Sequence, residues 1–225
     1  MSRVAVFGGT FDPVHLGHLV PALRAVETFG FERLVFVPTA RPPHKTGKPL
    51  TPFSHRFAML ALATQGYDRL YVSDMELAGE GPTYTVDTLR RCRGEFVGKE
   101  VYFLMGSDSF SQISTWHRWQ ELVEEAYLVI LHRDTVWGDE LRSRVPENLH
   151  PRLRRVETFV PVPDPPPGER LIYLLDHDPF PVSSSSLRER QGQNMTIGEL
   201  VPPEVHRYLV KYRLYGHGER QRHES

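Results

Sequence analysis

The chain has almost no cysteine: among its 225 residues only Cys92 carries a thiol. No intrachain disulfide can form, which agrees with a reducing compartment, and a cysteine-rich zinc cage is excluded. Long apolar runs are missing too. No segment approaches the ~20 apolar residues of a membrane span. The first apolar run, Val4–Phe7, is too short for the core of a secretory signal. A cytoplasmic chain with no membrane partner is expected. Nor is there an excess charge of one sign, since 27 Lys and Arg stand against 28 Asp and Glu. That balance gives no reason to expect nucleic acid as a partner, so any phosphate site must be local. The glycine-bearing segment after the first apolar run is neither GxGxxG nor a Walker A loop.

What is present is an alternation of strand and helix. Apolar runs at Val4–Phe7, Leu34–Val37, Leu70–Val72, Val101–Met105, Tyr127–Leu131 and Leu171–Leu175 read as strands, with a further one at Val156–Val160. Helical patterns fall at His15–Thr28, Phe53–Thr64, Thr83–Arg91, Trp116–Glu125, Asp139–Arg144, Ser185–Arg190 and Pro202–Tyr212. Pro161–Gly168 holds five prolines and reads as a loop. This order predicts an α/β fold: a Rossmann-like, doubly wound parallel sheet with helices on both faces and a small C-terminal helical part. A single domain is expected over 1–215, with a polar, frayed tail over 216–225.

The densest chemistry sits in Gly8-Gly9-Thr10-Phe11-Asp12-Pro13-Val14-His15-Leu16-Gly17-His18. Two glycines after a strand let backbone approach a ligand. Asp12-Pro13 reads as a helix start, with Asp near the N-cap and Pro in the first turn. A helix N-terminus offers free N–H groups to an anion. His15 and His18, three apart, share a helix face. The same pair also suits a zinc half-site or a plain surface. Val182-Ser183-Ser184-Ser185-Ser186-Leu187-Arg188 is a second such place, with hydroxyls and backbone donors opening a helix and Arg188 adding a cationic fork. An N-cap serine in a simple loop accounts for it equally.

Three weaker elements follow. Pro42-Pro43-His44-Lys45 offers a cation on a stiff turn. Gly81-Pro82-Thr83-Tyr84-Thr85-Val86-Asp87 opens a helix and needs no ligand to explain it. Gly106-Ser107-Asp108 follows a strand, with Trp116-His117-Arg118-Trp119 beyond it. Asp108 suits ribose hydroxyls or a helix cap, and Trp116 and Trp119 suit a stacking surface or the core.

GGTFDPVHLGH resembles the T/HxGH signature of the nucleotidyltransferases, and VSSSSLR resembles their ISSTxIR motif. With PPHK, GPTYTVDTL and LMGSDS…WHRW in this order, the chain resembles the bacterial nicotinate-mononucleotide adenylyltransferases from Val4 to about Tyr215. That resemblance implies transfer of AMP from ATP to nicotinate mononucleotide, giving nicotinate adenine dinucleotide and pyrophosphate. It implies ATP contacts at Gly8, Gly9, Thr10, Phe11, His15, His18, Gly106, Asp108, Ser183, Ser184, Ser185 and Arg188. Of these, His15, His18 and Arg188 would act in the transfer. The mononucleotide would meet His44, Lys45, Thr83, Tyr84, Thr85, Trp116 and Arg133, with Trp116 stacked on the ring. Mg²⁺ would arrive on the triphosphate, held mainly by phosphates and water. Two places depart from the family pattern: Arg133-Asp134-Thr135, and the proline-rich stretch, which reads as an insertion. A phosphopantetheine adenylyltransferase, a cytidylyltransferase and a non-catalytic ATP sensor share parts of the pattern. Homo-oligomerisation is left open.

Overall fold

The computed structural model describes residues 2–42, 50–79, 81–132, 137–166, 168–178 and 180–216. Seven strands form one sheet: β1 (Arg3–Gly9), β2 (Arg33–Pro38), β3 (Leu70–Val72), β4 (Glu100–Gly106), β5 (Tyr127–Leu131), β6 (Leu153–Glu157) and β7 (Ile172–Asp176). Their order is β3-β2-β1-β4-β5-β7-β6, and every pairing is parallel. Between them lie α1 (Leu16–Phe29), α2 (Phe53–Thr64), α3 (Thr85–Glu95), α4 (Ser107–Phe110), α5 (Trp119–Glu125) and α6 (Asp139–Arg144), followed by α7 (Ser184–Gly192) and α8 (Pro203–Lys211).

The central strands are apolar throughout because both of their faces are covered. In β1, Ala5 and Phe7 turn to a core shared with α1, α2 and α8, while Val4 and Val6 turn to one shared with α3 and α5. The chain winds outward from β1 through β2 to β3, then returns to place β4 on the other side of β1. Strand order therefore reverses between β1 and β4, and a crevice opens beyond their carboxyl ends, where such folds hold ligands. Gly8 and Gly9 end β1 at that crevice, and Gly106 ends β4 beside them.

Most of the expected elements are present, and α2, β3, β5 and α6 have the expected bounds. Several bounds shift, α3 among them, which runs Thr85–Glu95 rather than Thr83–Arg91, and four further differences bear on the site and its surroundings. Asp12-Pro13 does not open α1. That peptide is cis, and the helix begins at Leu16 with His15 as its N-cap residue. Trp116 does not open α5 either: it follows a short 3₁₀ turn over Ile113–Thr115 in extended conformation, and Arg118 at φ 52° caps the helix. The expected strand at Val156–Val160 runs from Leu153 to Glu157, pairing with β7 as an edge. The last serine helix starts one residue early, because Ser183 rather than Ser184 is its cap.

The proline-rich stretch packs at the amino end of the sheet. Buried Arg3 opens β1 there and donates to the carbonyls of Phe29 (3.0 Å) and Val162 (2.8 Å), and it pairs with Asp164 at 2.6 Å. The Val162 N–H donates to the Thr28 carbonyl at the end of α1 (3.2 Å). The proline-rich stretch thus lies at the opposite edge of the sheet from the crevice.

Candidate active site

A side chain would be crowded where the backbone enters the crevice. A Cβ on Gly8 would meet the Phe103 ring at 3.1 Å, and one on Gly9 would meet Phe11 at 3.0 Å. On Gly17, in the first turn of α1, a Cβ would meet Val182 Cγ1 at 2.8 Å and His15 Nδ1 at 3.0 Å. Only the missing side chain lets the HLGH turn sit directly against the segment that leads into the serine run.

His15 and His18 are brought together, with ring centroids 3.7 Å apart and planes 30° apart. The His15 N–H donates to His18 Nδ1 (3.4 Å), so the side chain at the third helical position closes back on the helix start. His18 lines the cavity at the crevice, whereas His15 is fully buried behind it. The edges of Phe7 and Phe11 pack on the His18 ring, with centroids at 6.1 and 5.0 Å, and leave it little freedom.

The cavity has a volume of about 360 Å³. Gly8, Gly9, Thr10, Phe11 and His18 wall one side; Gly106, Asp108 and Trp116 wall another; Ser183, Ser184, Ser185 and Arg188 close it. Motifs at opposite ends of the sequence therefore face each other across one volume. Ser183 caps α7, its hydroxyl accepting from the Ser186 N–H (3.1 Å) while its own N–H donates to Ser186 Oγ (3.2 Å). The Ser184 hydroxyl donates to the Pro13 carbonyl (2.9 Å), and Arg188 Nη1 donates to the Asp12 carbonyl (2.6 Å). These two bonds fasten the start of α7 to the loop after β1. Arg188 Nη2 also donates to Ser185 Oγ (3.2 Å).

A second, smaller cavity of about 140 Å³ lies alongside, lined by Thr39, Pro42, Thr83, Tyr84, Thr85, Trp116 and His117. Trp116 belongs to both. Tyr84 stacks on His117 with centroids 4.1 Å apart. Thr83 and Arg41 are joined through backbone and hydroxyl, Thr83 N–H to the Arg41 carbonyl at 3.1 Å and Arg41 N–H to Thr83 Oγ1 at 3.3 Å. Of the residues expected to meet the mononucleotide, Thr83, Tyr84, Thr85 and Trp116 come together here. His44, Lys45 and Arg133 lie outside the described residues.

Four residues with no site role expected from the sequence hold these walls. Buried Arg56 donates to the Thr10 carbonyl (2.7 Å) and the Thr51 carbonyl (2.9 Å), and burial lowers the pKa of its guanidinium. Asp12 is 2% exposed, and its carboxylate accepts from the Tyr215 hydroxyl (2.6 Å). Burial, and then that bond, raise the Tyr215 phenol well above its ordinary value, so it remains a donor. Glu76 is 5% exposed and accepts from the Ala40 N–H (3.1 Å) and the Thr88 hydroxyl (2.7 Å), tying the loop after β2 to α3. Only Asp12 carried a signal, lying inside the GGTFDP segment. The others pair over separations no local pattern encodes.

The donors around the larger cavity are backbone N–H groups, hydroxyls, an imidazole and a guanidinium, a set suited to an anion. Among the described residues, no group of three or more His, Cys, Asp or Glu converges as a metal cage would require. No helix is long and apolar enough to cross a membrane, among the described residues.

Residues 6–190 match the cytidylyltransferase-like family. A Thermomicrobium roseum protein named "Probable nicotinate-nucleotide adenylyltransferase" is 37% identical over 215 residues, covering 96% of this chain and 92% of its own. A protein of the same name from Pseudomonas aeruginosa is 35% identical, covering 95% of this chain and 97% of its own. Among solved structures, a Plasmodium falciparum nicotinic acid mononucleotide adenylyltransferase complexed with NaAD superposes with a TM-score of 0.71. It is 21% identical, and the match covers 96% of this chain and 98% of that one.

Proposed function

The chain belongs to the cytidylyltransferase-like family and, within it, to the nicotinate-nucleotide adenylyltransferases, and on that premise we propose that it transfers AMP from ATP to nicotinate mononucleotide. The observation that carries the reading is the shared wall. Trp116 borders both a donor-lined cavity sized for phosphates and a smaller, aromatic cavity beside it. A nucleotide in one and a pyridine ring in the other would bring their phosphates together at that boundary.

In this reading the 5′-phosphate of the acceptor attacks the α-phosphorus of ATP in line. A new P–O–P bond forms, the bond to the β-phosphate breaks, and pyrophosphate leaves with its electron pair. The attacking oxygen is already anionic, so no general base is needed and the protein's task is positioning and charge stabilisation. The N–H groups of Gly9 to Phe11 and the His18 ring meet the reacting phosphates, with His15 stacked behind His18 to hold it. Ser184, Ser185 and Arg188 take the departing β- and γ-phosphates, and Gly106 and Asp108 frame the ribose. ATP enters as its magnesium complex, the ion being carried by phosphate oxygens and water as part of the substrate.

On the acceptor side, Thr83, Tyr84, Thr85 and Trp116 hold the nicotinate ring, and backbone N–H groups near Thr85 meet its carboxylate. An uncharged amide offers those donors less, so the nicotinate form is preferred over the nicotinamide form. Lys45, His44 and Arg133 are assigned to the acceptor phosphate from sequence alone. The test is pyrophosphate release from MgATP with nicotinate mononucleotide, nicotinamide mononucleotide or phosphopantetheine as acceptor. Release chiefly with nicotinate mononucleotide is expected. Release only with phosphopantetheine would keep the larger cavity and remove the assignment of the smaller one. ATP binding with no release from any acceptor would leave a sensor.

A further inference from the structure

One buried acid joins the two phosphate-facing motifs to the end of the chain. Asp12 sits in the loop after β1. Its Oδ1 accepts from Tyr215 (2.6 Å), its Oδ2 accepts from the Thr51 N–H (3.5 Å), and its backbone carbonyl accepts from Arg188 Nη1 (2.6 Å). The same Nη1 lies 3.9 Å from Asp12 Oδ2, a weak ion pair in a partly buried setting. We infer that Tyr215 is a positioning residue for the ATP side of the site: by occupying the Asp12 carboxylate, its hydroxyl keeps Arg188 available to phosphate. The inference rests on the adenylyl-transfer reading for its consequence, though not for its geometry.

The physical argument is competition for one anion. A carboxylate that is almost wholly buried must be satisfied by donors or by a cation. Tyr215 supplies a neutral donor that stays protonated. Without it, the nearest mobile charge is Arg188, whose side chain is 32% exposed and already borders Asp12. The guanidinium, already near Oδ2, would close on the vacated Oδ1 and turn from the cavity. Arg56 is committed elsewhere, to the carbonyls of Thr10 and Thr51.

Tyr215 is placed for this task by the fold. Val205 and Leu209 of α8 are fully buried, and the Leu214 N–H donates to the Leu209 carbonyl (3.1 Å), turning the chain back beyond the helix. At φ 65° Tyr215 adopts a left-handed conformation that costs a non-glycine residue energy. The Leu200 carbonyl, just before α8, also accepts the Leu16 N–H that opens α1 (3.0 Å). The C-terminal segment therefore braces the HLGH turn at Leu16 and the loop before it at Asp12.

The test is Tyr215→Phe, which removes one oxygen and keeps the ring. ATP affinity, read by calorimetry without turnover, should fall about 10-fold, the size of one weakened charge-assisted phosphate contact. Affinity for nicotinate mononucleotide should change less than about 2-fold, since no acceptor contact is touched. Adding Asp12→Asn, which removes the charge that draws Arg188, should restore most of the lost ATP affinity. Equal losses for both ligands, unchanged ATP affinity, or no recovery in the double variant would each overturn the inference. The two readings fail separately. A wild-type protein that binds ATP but releases no pyrophosphate refutes transfer, while the titrations still decide on Tyr215. A wild-type protein that binds no ATP refutes both.

Discussion

His18 reaches the cavity with its ring held by its own helix. The His15 N–H donates to Nδ1 and the rings of Phe7 and Phe11 pack against the imidazole, so its plane is held at the cavity wall. A donor held this way costs no reorganisation as charge develops on a phosphate oxygen. His18→Ala should therefore lower kcat about 10²- to 10³-fold with a smaller change in KM for ATP, measured by pyrophosphate release. Near-normal turnover would take His18 out of the chemistry. The HxGH spacing made this pair readable, because three residues along a helix set two rings on one face. What the spacing could not say is which ring faces the ligand. In the fold His18 lines the cavity and His15 is fully buried, with the missing Cβ of Gly17 leaving room for both Val182 and the His15 ring. Asp12 and Tyr215 are 203 residues apart, so their pairing exists only in the folded chain.

At the scale of elements, the walls of the smaller cavity depend on a residue that never touches it. Glu76 lies in a short 3₁₀ turn over Met75–Ala78, and its two oxygens hold Ala40 and Thr88. Through them it sets the loop carrying Thr39 and Pro42 against the segment Thr83 to Thr85 that leads into α3. Glu76→Ala would leave the Ala40 N–H unsatisfied, while the Thr88 hydroxyl keeps a second acceptor in the Tyr84 carbonyl (3.3 Å). A stability loss of about 2 kcal/mol by urea unfolding is expected. KM for the mononucleotide should rise severalfold more than KM for ATP. Equal rises would mean that the two cavities share one support. The elements themselves were legible wherever apolar period and punctuation agreed, as in α2 and β5. They slipped where side-chain capping decides the boundary. Any of four consecutive serines can cap a helix, and only the fold selects Ser183. Likewise, Trp116 belongs by pattern to α5 but is held out of it by Arg118 in the left-handed conformation.

Over the whole molecule, the working edge and the bracing edge of the sheet are separated. The described residues of the proline-rich stretch are fastened to Arg3 and Thr28 at the amino ends of the strands, and none of them lines the cavities at the carboxyl ends. Its composition announced a loop, but its place could be known only from the sheet order. At the other edge, two cavities of about 360 and 140 Å³ meet at Trp116. A product that joins adenosine to the nicotinate nucleoside through two phosphates would fill both at once, and the second half would bind as if at high local concentration. Nicotinate adenine dinucleotide should therefore bind at least about 10-fold more tightly than AMP or nicotinate mononucleotide alone, by calorimetry on the same preparation. Trp116→Ala should erase most of that advantage, because it removes the wall common to both halves. If the dinucleotide bound no better than AMP, the smaller cavity would not be the acceptor site, and the pyridine ring would have to lie against the segments that carry Lys45 or Arg133.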